Sequence, residues 1–272
     1  MKKLFSTLLA LALFCSLLTI GAACADYEYP GETLVDNAYC SVTVKSIDPD
    51  NMWGYTLKLL LENKSDKELM FSIDGASVNG VMNDPFWATE VAAGKKSNEE
   101  VSFSGLKGKS VDEIEFTLTV YDSNDWLADH IVDDVFAIYP TGMSKDTVTY
   151  EDIVSDSAET FVDNGQVAFA IEGTDPDNFW GYGINVDLVN HTDKTLMYAW
   201  EDVSVNGFMM DPFWATEVAP GKSAATAITF FSSDFEDNDI EDVEEIEFTL
   251  KIYDSDDWLA DSIIEQVFTY RP

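Results

Sequence analysis

Cysteine, histidine and cationic side chains are scarce in this chain, and each scarcity closes off a class of protein. Cys15 and Cys24 fall within the first 25 residues, so Cys40 is the one cysteine beyond them and no disulfide framework is available. The two histidines, His130 and His191, join no cysteine cluster of the kind that holds zinc. Lys and Arg number 15 against 51 Asp and Glu, for a formal net charge of -36. A field of that sign repels nucleic acid and anionic membrane, so neither is an expected partner. Glycine-rich phosphate loops are missing, and helical periodicity is almost absent.

Long apolar runs are also rare. The one example, Leu4 through Ile20, follows Lys2-Lys3 and leads into small residues ending Ala23-Cys24-Ala25. That pattern predicts a signal peptide over residues 1–25, cleaved before Asp26. The rival reading is a bacterial lipoprotein signal, with Cys24 lipidated. No later run is long enough to span a bilayer. The mature chain is therefore expected to be secreted, or alternatively lipid-anchored at the cell surface, with no transmembrane span.

What the sequence does contain is a copy of itself. Ser77 to Ala92 returns 127 positions later as Ser204 to Ala219, with two of sixteen positions changed. Asp48-Pro49-Asp50-Asn51-Met52-Trp53-Gly54-Tyr55 returns as Asp175 to Tyr182 with one change, and Glu113 to Leu118 returns unchanged as Glu245 to Leu250. The last offset is 132, because five extra residues enter repeat two near Ser233 to Ile240, where a surface loop is expected. The boundaries read as repeat one over 32–140, a linker over 141–158 with Thr147-Val148-Thr149-Tyr150 as one extra strand, and repeat two over 159–272.

Within each repeat the pattern is one of strands. Tyr55, Leu57, Leu59 and Leu61 alternate with Thr56, Lys58, Leu60 and Glu62, and Ile114, Phe116, Leu118 and Val120 alternate with Glu115, Thr117 and Thr119. Period two marks half-buried strands. Asn63-Lys64-Ser65-Asp66 and Asn190-His191-Thr192-Asp193 read as polar turns, and their Asn-x-Ser/Thr spacing as turn chemistry in place of glycosylation. About seven short strands per hundred residues predict an all-β fold, two tandem antiparallel β-sandwiches. With 46% apolar and 13% aromatic residues, the chain can fill both cores.

The duplicated Trp-Gly-Tyr strand, the Asn-Lys-Ser-Asp turn and the Asp-Pro-Phe-Trp segment resemble those of uncharacterised exported proteins of Gram-positive bacteria with tandem immunoglobulin-like (telokin-like) domains. The resemblance spans both repeats and implies an immunoglobulin-like sandwich. It implies no activity. The paired cysteines of antibody-type domains are missing, so that link is architectural.

Two loops set acids beside flat rings and are the candidate binding residues. They are Asp84, Phe86 and Trp87 with Asp122, Asp125, Trp126 and Asp129, answered in repeat two by Asp211, Phe213 and Trp214 with Asp254, Asp257, Trp258 and Asp261. Aromatic rings with hydroxyl-accepting acids suit a sugar or a peptide. The carboxylates of Asp84, Asp122, Asp125, Asp129, Asp211, Asp254, Asp257 and Asp261 suit calcium. The plainer reading makes the rings core plugs and the acids turn formers. If strands alternate up and down, the Asp84 segment shares an end with Asp122, and a joint site follows unless an extra strand forms at Ala88 to Val91.

With no histidine at equivalent places in both halves, no catalytic residue is assigned and no enzyme is expected. The expected function is a secreted or surface-held, non-enzymatic interaction or adhesion protein, monomeric, whose partner is an extracellular glycan or protein. Exposed Trp87 or Trp126 would favour it. Buried ones favour the alternative, a calcium-stabilised structural spacer, and a hydrolase of extracellular polymer ranks third.

Overall fold

Alternating apolar and polar positions become strands throughout the computed structural model, which describes residues 29–125, 127–150, 153–212, 214–257 and 259–272. The predicted signal peptide and Cys24 lie outside the described residues. Repeat one runs β1 (Glu32–Asp36), β2 (Cys40–Asp48), β3 (Tyr55–Asn63), β4 (Leu69–Val78), β5 (Val81–Met82), β6 (Trp87–Val91), β7 (Lys96–Phe103), β8 (Ile114–Asp122) and β9 (Val132–Ile138). Repeat two runs β10 (Glu159–Asp163), β11 (Val167–Asn178), β12 (Gly181–Asn190), β13 (Leu196–Val205), β14 (Phe208–Met209), β15 (Ala215–Val218), β16 (Ser223–Phe231), α1 (Ser232–Asp237), β17 (Ile246–Asp254) and β18 (Ile264–Tyr270).

In repeat one, β1-β2-β3-β7 make one antiparallel sheet and β5-β4-β8-β9 the other, with β6 also paired to β4. Repeat two has the same two orders, β10-β11-β12-β16 and β14-β13-β17-β18, with β15 on β13. Each pair of sheets encloses one core. Leu57 and Val101 of the first sheet meet Phe71, Phe116 and Leu118 of the second in repeat one, and Phe169 and Phe230 meet Trp200 and Phe248 in repeat two. The inward set comes from period-two alternation, which places every second side chain on one face. Cys40 is fully buried in its core, and burial pushes its thiol above the usual range, so it stays protonated and inert.

Hydrogen bonding of the Asn-x-Ser/Thr turns is the same in both repeats. Asn63 Nδ2 donates to the carbonyls of Lys67 and Val91, both at 2.7 Å, and its Oδ1 accepts the N–H of Ser65 at 2.9 Å. Asn190 makes the matching bonds to Lys194 and Val218, at 2.8 Å each. Both asparagines are buried, which fits the turn role read from sequence.

Two local expectations are corrected. The five-residue insertion contributes to a six-residue helix, α1, in place of a plain loop, because Phe235 gains contact with Phe230 and Tyr182 at 6.1 and 5.9 Å between ring centres. Thr147 to Tyr150 form no strand. Ser144 instead turns the chain, its carbonyl accepting the N–H groups of Thr147 and Val148, and Tyr150 is delivered onto Gly80.

Tyr150 sits where the repeats meet. Ser223 stands opposite Val81 in a parallel contact, with the Ser223 N–H donating to the Gly80 carbonyl at 2.9 Å, so β16 and β5 join two sheets into one of nine strands. Beside that bond, Lys222 lies 3.6 Å from Glu113 and 2.8 Å from Glu115, with only 6% of the Lys222 side chain and 3% of the Glu113 side chain exposed. The Tyr150 hydroxyl donates to Glu113, and Lys222 stands 5.0 Å from the Tyr150 ring centre. Burial and then the Glu113 hydrogen bond raise the Tyr150 phenol far above its usual range. Buried charges of this kind persist only when paired.

Candidate functional site

The hairpins between β2 and β3 and between β11 and β12 place bulky apolar residues where turn chemistry alone calls for polar ones. Asn51 Oδ1 accepts the Trp53 N–H at 3.0 Å, and Asn178 Oδ1 accepts the Trp180 N–H at 3.0 Å, each closing a side-chain turn. The next residue is glycine in both copies, Gly54 at φ 131 and Gly181 at φ 144. A Cβ there would fall 2.2 Å from the Phe103 carbonyl oxygen in one repeat and 2.1 Å from that of Phe230 in the other. Only glycine lets the tip lie this close to the end of the neighbouring strand. The tip is thus anchored, and its rings face outward. Trp53 is 69% exposed and Trp180 65%, with Met52 and Phe179 beside them also exposed.

The Asp-Pro-Phe-Trp segment comes to the same end. In repeat one, Asn83 Nδ2 donates to the Ser104 carbonyl at 3.0 Å, just beyond the strand end that Gly54 touches. Asp84 Oδ1 accepts the Phe86 N–H at 2.9 Å, and Phe86 adopts φ 47 with 95% of its surface exposed. A left-handed backbone is costly for an aromatic residue, and such strain concentrates at binding sites. In repeat two a concavity of about 500 Å³ is lined by Trp180, Pro212, Trp214, Ala227, Thr229 and Phe231, joining the hairpin tip to the same segment. The corresponding wall of repeat one carries Glu100, Ser102 and Ser104, so the two ends differ in polarity.

The joint site expected from Asp84, Trp87, Asp122, Asp125 and Asp129 does not form. Trp87–Val91 is a strand, β6, which reverses the parity of the strands before it. On β4, Leu69 stands opposite Asp122 and Val91, whereas Trp87 stands opposite Ile73 and the Asn83 N–H bonds the Ala76 carbonyl. At about 3.3 Å per residue, the four steps from Leu69 to Ile73 already separate Trp87 from Asp122 by about 13 Å along the strand. The same registers hold in repeat two, where Leu196 faces Asp254 and Val218 and Ala199 faces Ala215. Asp211 and Trp214 are therefore parted from Asp254, Asp257 and Asp261 as well.

The rings are also redistributed. Trp214 is buried, 6.2 Å from Trp200 and 6.4 Å from Phe169, and Trp87 is half-buried against its own core. Trp87 opens β6 and Trp214 lies just ahead of β15, so the solvent-facing ring of the repeat-one segment is Phe86. Asp122 ion-pairs with Lys67 at 2.7 Å and accepts the Asn124 N–H, and Asp254 pairs with Lys194 at 2.5 Å and accepts the Asp256 N–H. Their lysine hydrogen bonds hold both carboxyls below the usual range. These acids build turns. Asp125, Asp129, Asp257 and Asp261 are exposed, and among the described residues no three acidic, histidine or cysteine side chains converge on a metal-binding point. Trp126, Phe213 and Trp258 lie outside the described residues.

Sequence reasoning missed the tip residues Met52, Trp53, Phe179 and Trp180. The available signal was a pair of large apolar side chains inside an Asp-Pro-Asp-Asn turn, kept in both repeats.

No protein-family model and no curated protein matches the chain. Among solved structures it is similar to a protein of unknown function from Porphyromonas gingivalis W83, at 11% identity and a TM-score of 0.22 over 90% of this chain and 100% of that one. It is similar also to the Salmonella enterica SafA pilin in complex with the SafB chaperone, at 11% identity and a TM-score of 0.21 over 80% of this chain and 89% of that one. The third is the Pseudomonas aeruginosa CupB2 chaperone, at 12% identity and a TM-score of 0.21 over 80% of this chain and 92% of that one. Likenesses this distant transfer nothing to the chain.

Proposed function

We propose that this chain is a secreted or surface-held, non-enzymatic interaction protein of two immunoglobulin-like sandwiches, and that it grips an extracellular glycan or protein with the aromatic ends of those sandwiches. The strand order supports the architecture: β2, β3 and β7 stack on β4, β8 and β9 as A, B and E stack on C, F and G in that fold, with β6 as an added edge. One observation carries the function. In both repeats a tryptophan stands exposed on an anchored hairpin tip, where folding alone gains nothing from an apolar ring.

Rings fixed on a rigid tip lose little freedom on binding, which is why tryptophan dominates binding hot spots. Asp50 and Asp177, exposed beside the rings, accept hydrogen bonds from hydroxyl or amide donors. The test is a glycan and peptide array probed with the chain from Asp26 onward and with its Trp53→Ala/Trp180→Ala variant. Truncating a hot-spot ring costs about 2 kcal/mol, roughly thirtyfold in Kd, so the double variant should lose the signals the parent gives. Signals that survive unchanged, or a parent that binds nothing, would refute the assignment.

A further inference from the structure

The contact between the repeats joins two unlike surfaces. Repeat two supplies the Gly221-Lys222 turn and the start of β16, and repeat one supplies the Asn79-Gly80 turn, β5 and Glu113 and Glu115 of the β8 region. Because sequence and strand order are duplicated, each surface exists a second time. The second copy of the donor turn is Gly94-Lys95, leading into β7 at the far end of repeat one. The second copy of the acceptor is Gly207-Phe208-Met209, on β14 at the far end of repeat two, with Glu245 and Glu247 for Glu113 and Glu115.

Both second copies lie open. β7 ends its sheet and β14 ends another, whereas their counterparts β16 and β5 are joined. Lys96 stands opposite Glu62 in the register that Ser223 holds opposite Val189, so its N–H faces the sheet edge as that of Ser223 does. Val81 and Met82 are half-buried, and Met82 packs on the core of repeat two. Their equivalents Phe208 and Met209 are 46% and 69% exposed. A Cβ on Gly80 would strike the Tyr150 ring at 2.6 Å, while one on Gly207 would meet nothing within 4 Å. Charge is complementary too: Lys95 is exposed at the donor end, and Glu244 and Glu247 are exposed at the acceptor end. The second copies differ in that Arg271 already bonds Glu245 and that Lys96, in the place of Ser223, pairs with Glu62 at 3.0 Å, with Lys64 beside it on Asp36.

We propose that a second copy of this chain docks its Gly94-Lys95 turn and β7 edge onto β14 of repeat two, repeating between molecules the contact that β16 makes on β5 within one. Such a head-to-tail contact leaves a free donor at one end and a free acceptor at the other, so copies add end to end, into an open filament unless the rotation between them closes a ring. The linker of residues 141–158 raises the effective concentration of the internal contact, and the external contact lacks that tether. Assembly is therefore concentration-dependent.

Sedimentation of the chain from Asp26 onward, over a rising concentration series, tests this with two variants blocked at one end each. Lys95→Glu/Lys96→Glu removes the donor and Phe208→Asp/Met209→Asp removes the acceptor, and melting curves confirm that both fold. The parent should show a growing series of oligomers, each variant alone should stay monomeric, and an equal mixture of the two should stop at a dimer. A parent that remains monomeric at millimolar concentration, oligomers that persist in either variant, or a mixture that fails to dimerise would overturn the proposal.

Discussion

Lys222 and Lys95 occupy the same position of the same turn, and only Lys222 is covered by the other repeat, so truncating each to alanine measures what the interface contributes. Lys222 and Glu113, 3.6 Å apart, attract by about 5 kcal/mol at an effective dielectric of about 20. Desolvating two nearly buried groups cancels most of that. Removing the lysine alone returns none of the Glu113 desolvation, because that carboxylate stays buried, facing the Tyr150 and Tyr139 hydroxyls without the lysine's charge. Breaking a buried pair this way costs about 3 to 5 kcal/mol. The molecule has an escape, however: if docking of the repeats is worth less than that, they part and Glu113 regains water. Lys222→Ala should then lower stability by the docking energy and split one unfolding transition into two. Lys95→Ala, on an exposed residue, should shift stability by no more than about 0.5 kcal/mol. Urea unfolding followed by tryptophan fluorescence and by circular dichroism reads both outcomes. Equal effects for the two lysines, or a single unchanged transition in Lys222→Ala, would refute the buried-pair reasoning.

Gly54→Ala and Gly181→Ala each force a Cβ against a carbonyl oxygen and a positive φ, so each should destabilise by about 1 to 3 kcal/mol in thermal melts. Asn63→Ala strands the carbonyls of Lys67 and Val91 and should cost about 2 to 4 kcal/mol by urea titration, with Asn190→Ala similar. The Asp122 and Asp254 carboxyls are held below their ordinary value, so the stability they add is present above that value, near pH 4, and is lost as pH falls through the depressed one. A Lys67→Met/Lys194→Met chain should therefore differ from the parent in neutral buffer and converge with it in acid, and high salt should shrink the neutral-pH gap.

By itself the sequence determined the duplication, the all-strand character, and the inward positions of each strand. Period two and self-similarity are local or internal properties, so they are readable without coordinates. It also placed the Asn63 and Asn190 turns, whose side chains bond within their own neighbourhood. Which loops share an end was decided only in three dimensions. The five residues of β6 reverse the count and carry Trp87 away from Asp122, and no local pattern distinguishes so short a strand from a loop. The outward tryptophans were equally hidden, because a ring on a hairpin and a ring in a core have the same composition around them. Docking of the repeats belongs wholly to tertiary structure: Lys222 and Lys95 read alike in sequence, and only the approach of Gly80, Glu113 and Tyr150 buries one and leaves the other in water.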